Sequence, residues 1–250
     1  MGKPFDIVDT AVAGYGKVWA ERHFIGRMAF IPFIIKALLL TLIIIFGLEA
    51  EFLRQALIML PAYFAEGWLM AVIARLVFYD EKAMGRDAGK PYFMAGTLMY
   101  VLIKFLQNGA MAIAHSTESF SRDSETSPGT FLLALALFSF SIWAFRFLWV
   151  YIPLSLDLSI ETILRLFRGA WLSLYIIGTW LLCFVPFMLL LILFTGIVVE
   201  PYESVEEIPV PMQAVLVGIQ AAVDMVVALV STAAITCAFR AMISNKSVNT

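Results

Sequence analysis

Five charged side chains fall well inside the long apolar runs of this 250-residue sequence, away from their ends: Lys36, Glu66, Lys104, Arg146 and Asp224. A charge at the centre of a membrane-spanning helix costs about 2.5–3.5 kcal/mol on insertion scales, so such a residue turns toward the helix bundle and a partner, or toward a wet cavity. Two kinds of chemistry are open to these five. As interhelical glue they supply an ion pair, a few hydrogen bonds and basic stems that reach toward the headgroups. As a site, Lys36, Lys104 and Arg146 form a basic pocket for an anionic lipid headgroup or a small anion, with Glu66 and Asp224 flanking a midplane cavity and able to exchange protons with a substrate.

Depth along the helices sorts them. At a rise of about 1.5 Å per residue, Glu66 and Lys104 both lie about 20 Å from the same membrane face, on consecutive antiparallel spans, which predicts that they pair. Lys36 and Arg146 lie about 13 Å from that face, shallow enough for their stems to carry the charge outward. Polar neighbours follow at helical spacing. Thr97, Lys104 and Asn108 share one face with Gln107 beside them, and Gln213, Gln220, Asp224 and Ser231 form a second stripe. Lipid offers such stripes no hydrogen-bond partners, so they face other helices or a cavity.

The elements that must position these residues are six apolar stretches: Phe30 to Leu48, Ala56 to Tyr79, Tyr92 to Ala114, Thr130 to Ser155, Leu172 to Val199 and Met212 to Met242. Each is near the length of a bilayer-spanning helix. The links alternate in Lys/Arg content. Twelve basic residues (Lys3, Lys17, Arg22, Arg27, Arg75, Lys82, Arg86, Lys90, Arg165, Arg168, Arg240 and Lys246) fall on one side, and Arg54 and Arg122 on the other. That asymmetry predicts both termini in the cytoplasm. The fold class is therefore an all-α integral membrane protein, a six-transmembrane-helix bundle forming one membrane domain over 1–250.

Two amphipathic segments read as interfacial helices, 5–23 before the first span and 157–171 before the fifth. Asp9-Thr10 marks a start for the first, and Asp157 or Ser159 a cap for the second. Each precedes a span with a proline, Pro32 or Pro186, then an acidic outer link, then a span bearing one carboxylate, Glu66 or Asp224. The pattern is consistent with a parallel internal repeat or with chance similarity among apolar helices. Pro32, Pro61, Pro153 and Pro186 are either packed kinks or broken helices at a binding site. The polar stretch 115–129 reads as an external loop.

Composition narrows the function classes. The chain is 62% hydrophobic and 14% charged, outside the range of a soluble domain, and it has no basic stripe for nucleic acid. His23 and His115 lie outside the spans, which argues against intramembrane haem, and Cys183 and Cys237 read as small buried residues. No metal-ligand spacing, phosphate loop or nucleophile elbow is present, so no cofactor, metal or catalytic residue is expected and the protein is read as non-enzymatic. Trp68, Trp143, Trp149, Trp171 and Trp180 read as interfacial anchors and packing residues.

The run Arg146-Phe147-Leu148-Trp149-Val150-Tyr151-Ile152-Pro153, then Arg168-Gly169-Ala170-Trp171 and the proline-bearing fifth span, resembles the YciC-like inner-membrane proteins. That family is similar to the membrane domain attached to some bacterial glycerophosphodiester phosphodiesterases. The resemblance implies a bacterial inner-membrane bundle and carries no catalytic residue across. The expected function is binding or organising anionic lipid or a membrane partner, including a second copy of the chain. A permease or secondary transporter subunit using the buried carboxylates is the alternative.

Overall fold

The structure, a computed structural model, describes residues 4–48, 51–80, 90–121, 128–169, 171–199 and 209–247. The regular elements among them are all helical: α1 (Ile7–Ala20), α2 (Arg22–Ile45), α3 (Phe52–Ile58), α4 (Leu60–Tyr79), α5 (Pro91–Ser121), α6 (Pro128–Ala144), a 3-10 turn (Phe145–Trp149), α7 (Tyr151–Ser155), α8 (Ile160–Leu166), α9 (Leu172–Val199) and α10 (Val210–Ser247). Five stretches are long and apolar enough to cross a membrane: Arg22–Ile45, Leu60–Tyr79, Leu135–Ser155, Leu172–Val199 and Pro211–Ser244. The remaining expected span, Tyr92 to Ala114, lies within the 31-residue α5, which is not among those five.

Helix α4 is the centre of the bundle. Of its apolar window 67% is buried, against 6% for α9, whose Leu189, Leu190, Ile192, Leu193 and Ile197 face outward. Small residues explain the difference. Gly67, Ala71 and Ala74 recur along α4 at helical spacing, and a Cβ on Gly67 would sit 3.0 Å from the Thr97 carbonyl oxygen of α5. Without side-chain bulk the backbones approach closely, and van der Waals contact holds helices together where lipid removes the hydrophobic drive.

The N-terminal helix is fixed by the same device. Asp6, rather than Asp9-Thr10, caps α1, accepting from the amides of Val8 at 2.9 Å and Asp9 at 3.1 Å. Its Gly14 meets Ala234 of α10 so closely that a Cβ would fall 2.6 Å from the Ala234 nitrogen. The Tyr15 hydroxyl donates to the Leu182 carbonyl at 3.2 Å, which ties α1 to α9 as well.

Several boundaries differ from the sequence reading. Helix α2 begins at Arg22, eight residues ahead of Phe30, because nothing between Arg22 and Phe30 breaks a helix. The expected loop at 115–129 is shortened from both ends, since α5 runs to Ser121 and α6 starts at Pro128; residues 122–127 lie outside the described residues. The second expected interfacial helix shrinks to Ile160–Leu166, capped by Ser159, which accepts from the Thr162 amide at 3.3 Å. Gly169 follows at φ +116°, a conformation that prevents the helix from continuing to Trp171. Glu49, Glu200, Glu203, Glu206 and Glu207 of the expected acidic outer links lie outside the described residues.

Prolines act in different ways. Helices α2 and α9 continue through Pro32 and Pro186. Pro61 opens α4 in its first turn, where a missing N–H costs nothing. Ahead of α7, which contains Pro153, Phe145–Trp149 tightens into a 3-10 turn, as expected where proline removes the bond to the residue four earlier.

Candidate functional site

Helices α2, α4 and α10 meet around one ammonium group. Lys36 Nζ lies 2.8 Å from Glu66 Oε1 and 3.6 Å from Asp224 Oδ2. The Glu66 side chain is 2% exposed, and its second oxygen accepts a hydrogen bond from the Tyr100 hydroxyl at 3.1 Å. The Asp224 side chain is 44% exposed and is the open member of the triad.

The pairing corrects the sequence reading. Glu66 was expected to pair with Lys104; its ion partner is Lys36. Because α2 starts at Arg22, Lys36 stands 36 − 22 = 14 residues into its helix, about 21 Å along the axis. Glu66 stands 79 − 66 = 13 residues from the end of the antiparallel α4, about 20 Å. The two are level, and Lys36 is buried instead of reaching outward.

Beside the triad lies a cavity of about 290 Å³ with Lys36, Glu66, Lys104 and Asp224 in its wall. Aromatic rings make up much of the rest, including Tyr100, Phe145, Trp149, Tyr151, Trp180 and Phe184. The interrupted stretch from α6 through α7 supplies three of these rings, Phe145 and Trp149 from the 3-10 turn and Tyr151 from α7. Tyr100 and Tyr151 meet edge to face at 5.2 Å between centroids, and the Tyr151 hydroxyl is 2.8 Å from Thr232 Oγ1. These contacts hold the phenols in the wall.

Among the polar groups on the cavity, Lys104 and Trp149 are not satisfied by the protein in the ordinary way. Lys104 Nζ rests 5.6 Å from the centroid of the Tyr100 ring, and among the described residues no carboxylate lies within ion-pair distance of it. Trp149 is 8% exposed, and its Nε1 has no hydrogen-bond partner among the described residues. A buried unpaired donor is costly, and such groups in a cavity wall are suited to a ligand.

Arg146 is not part of this cluster. It is buried on the 3-10 turn, its guanidinium 4.8 Å from the Trp143 ring centroid and 5.1 Å from that of Phe147. Its Nη1 donates to the Gly169 carbonyl at 2.6 Å. The stem thus reaches the link between α8 and α9, and the expected pocket of three basic residues is divided: Lys36 and Lys104 line the cavity, and Arg146 does not.

The polar stripes were only partly predictive. Asp224 and Ser231 of the α10 stripe line the cavity, whereas Gln220 is exposed. Asn108 donates to the Tyr63 hydroxyl at 2.8 Å. The aromatic wall has little signature in the sequence. Tyr100 carried a usable signal, being three residues past Thr97 and four before Lys104; Trp149 and Trp180 carried none that distinguished a cavity from an anchor.

The fold and this cavity together define an all-helical bundle of membrane-compatible helices with a charged, aromatic-walled interior site. Neither family models, curated proteins nor solved structures match the chain.

Proposed function

We propose that this chain is a six-span inner-membrane protein, both termini cytoplasmic, that binds an anionic amphiphile within the bilayer and performs no catalysis on it. The observation that carries the reading is the ~290 Å³ cavity with Lys104 in its wall and no carboxylate on that ammonium among the described residues. Lys36 is already occupied by Glu66 and Asp224, so Lys104 is the cation for the ligand's negative charge, and the Trp149 indole N–H is the neutral donor beside it. The aromatic walls take the apolar body. The volume is at the small end for ligand sites, which suits a headgroup or a compact anion with any chain left in the lipid. The twelve-to-two distribution of basic residues and α5, 31 residues long, support six spans.

Ala228 lines the cavity on α10 and provides the test. Ala228→Phe fills the space without changing a charge. Native mass spectrometry of that variant should show loss of co-purifying anionic lipid with the fold retained; undiminished lipid would argue against the cavity as its site.

A permease is the second reading, favoured by the sharing of Lys36 between carboxylates of two helices. It requires that Glu66→Gln or Asp224→Asn abolish flux while lipid retention persists.

A further inference from the structure

We infer that anion binding in this cavity is coupled to uptake of one proton on the Lys36 triad, at Asp224. The inference rests on the proposed anion site and adds to it a statement about charge.

The ionisable groups facing the cavity come from five helices, while α9 adds only Trp180 and Phe184. Helix α2 gives Lys36, α4 gives Glu66, α5 gives Lys104 and the Tyr100 phenol, α7 gives the Tyr151 phenol, and α10 gives Asp224. Phenols are neutral near pH 7, so the formal charges are two positive and two negative, summing to zero. Arg146 on the 3-10 turn is directed to Gly169 and does not enter this sum. A neutral cluster is the arrangement that low dielectric favours, because net charge in an apolar surrounding is expensive. An anion entering beside Lys104 leaves a net charge of −1. Neutrality returns if one carboxylate takes a proton from solvent, which forms one O–H bond and consumes one hydronium proton per anion bound.

Geometry selects the carboxylate. Glu66 is held by the Lys36 ammonium at 2.8 Å and the Tyr100 hydroxyl at 3.1 Å, and is almost fully enclosed. Asp224 is held at 3.6 Å by an ammonium that has a nearer partner, and its side chain is 44% exposed. Protonating Asp224 leaves the closer Lys36–Glu66 pair intact. The same triad thus supplies what a proton-linked carrier of organic monoanions requires, a counter-charge that enters with the ligand.

The experiment uses the full chain in nanodiscs with two permanently ionised probes, so that the probe itself does not titrate: benzenesulfonate as a soluble anion, and phosphatidylglycerol as the lipid source. Equilibrium binding is measured between pH about 6 and about 8.5, spanning neutrality. Affinity of the wild type should fall as pH rises within that range, by up to about tenfold per pH unit, the slope for one linked proton. Mixing in weak buffer with an indicator dye should register uptake approaching one proton per anion bound. Asp224→Asn removes the titrating group and leaves one uncompensated positive charge, so its binding should lose the pH slope. Whichever probe shows the slope identifies the source of the ligand. A flat wild-type profile with no proton uptake, or an unchanged slope in Asp224→Asn, would overturn the coupling. Failure of the underlying site is read separately: Lys104→Met then binds either probe as well as wild type. The dye measurement on wild type decides the coupling even if Asp224→Asn does not fold.

Discussion

Lys36 and Glu66, on neighbouring antiparallel helices, approach to 2.8 Å in the buried interior of the bundle, and Asp224 reaches the same ammonium from a third helix. Three helices are thereby clamped at one depth by one cation.

This clamp predicts strong coupling in a double-mutant cycle. Lys36→Met strips buried Glu66 of its ion partner and should destabilise by about 3–5 kcal/mol; Glu66→Gln leaves Lys36 only the more distant Asp224 and should cost less, and the double variant should recover much of the larger loss. Thermal unfolding in detergent measures it. The cycle between Glu66 and Lys104 should be closer to additive than the Lys36 cycle, because those two share no ion pair in the structure.

The contact between Gly14 and Ala234 predicts a steric failure that is specific to one glycine. Gly14→Val places carbon against α10 backbone, which cannot move aside, and overpacking of this kind costs about 1–3 kcal/mol or more. Gly16 has open space around it, so Gly16→Ala should be neutral or should stabilise α1 by up to about 1 kcal/mol through helix propensity. Protease sensitivity of the first twenty residues reports the difference.

Much of the bundle was legible in the sequence, because apolar runs of spanning length and the charges that interrupt them are governed by the bilayer itself. Lys36, Glu66, Lys104 and Asp224 stood out for that reason, and all four line one cavity. Their pairing was not legible. Lys36 and Lys104 both reach the depth of Glu66, and what separates them is rotation about the helix axis, set by packing at small residues such as Gly67. The start of α2 at Arg22 is not marked in the sequence, because the polar residues Arg22, His23 and Arg27 are as compatible with a helix as with a link. The 3-10 turn was hidden because only its cause, Pro153, is written in the chain, and a proline inside a span fits a packed kink as well.

At the end of α4, Asp80 accepts a hydrogen bond from Lys17, with Arg240 Nη1 3.8 Å away. The Lys17 hydrogen bond and charge hold the Asp80 carboxyl below its ordinary value of 3.8. A lowered value in the folded state means the contact contributes fully above the unfolded value and is lost as pH falls through the folded one. The tie from α1 to the end of α4 should therefore be insensitive to pH near neutrality and weaken only below 3.8. Proteolysis of α1 against pH should show that acid transition in wild type and lose its Asp80 component in Asp80→Asn.

The proposed topology predicts that reporter fusions after residues 125 and 204 report the external side and that a fusion at residue 250 reports the cytoplasm. A cysteine introduced at Arg86 should resist an impermeant reagent in intact cells. Labelling there would contradict the six-span arrangement.

The most direct measurement of the central claim is anionic lipid retention compared across single substitutions of the two basic residues that the structure places apart. Lys104→Met should weaken retention of phosphatidylglycerol by about tenfold or more, equivalent to about 1.4 kcal/mol, while Arg146→Gln should leave it within about twofold of wild type. Retention unchanged by Lys104→Met, or lost only with Arg146→Gln, would contradict the assignment of the cavity as the ligand site.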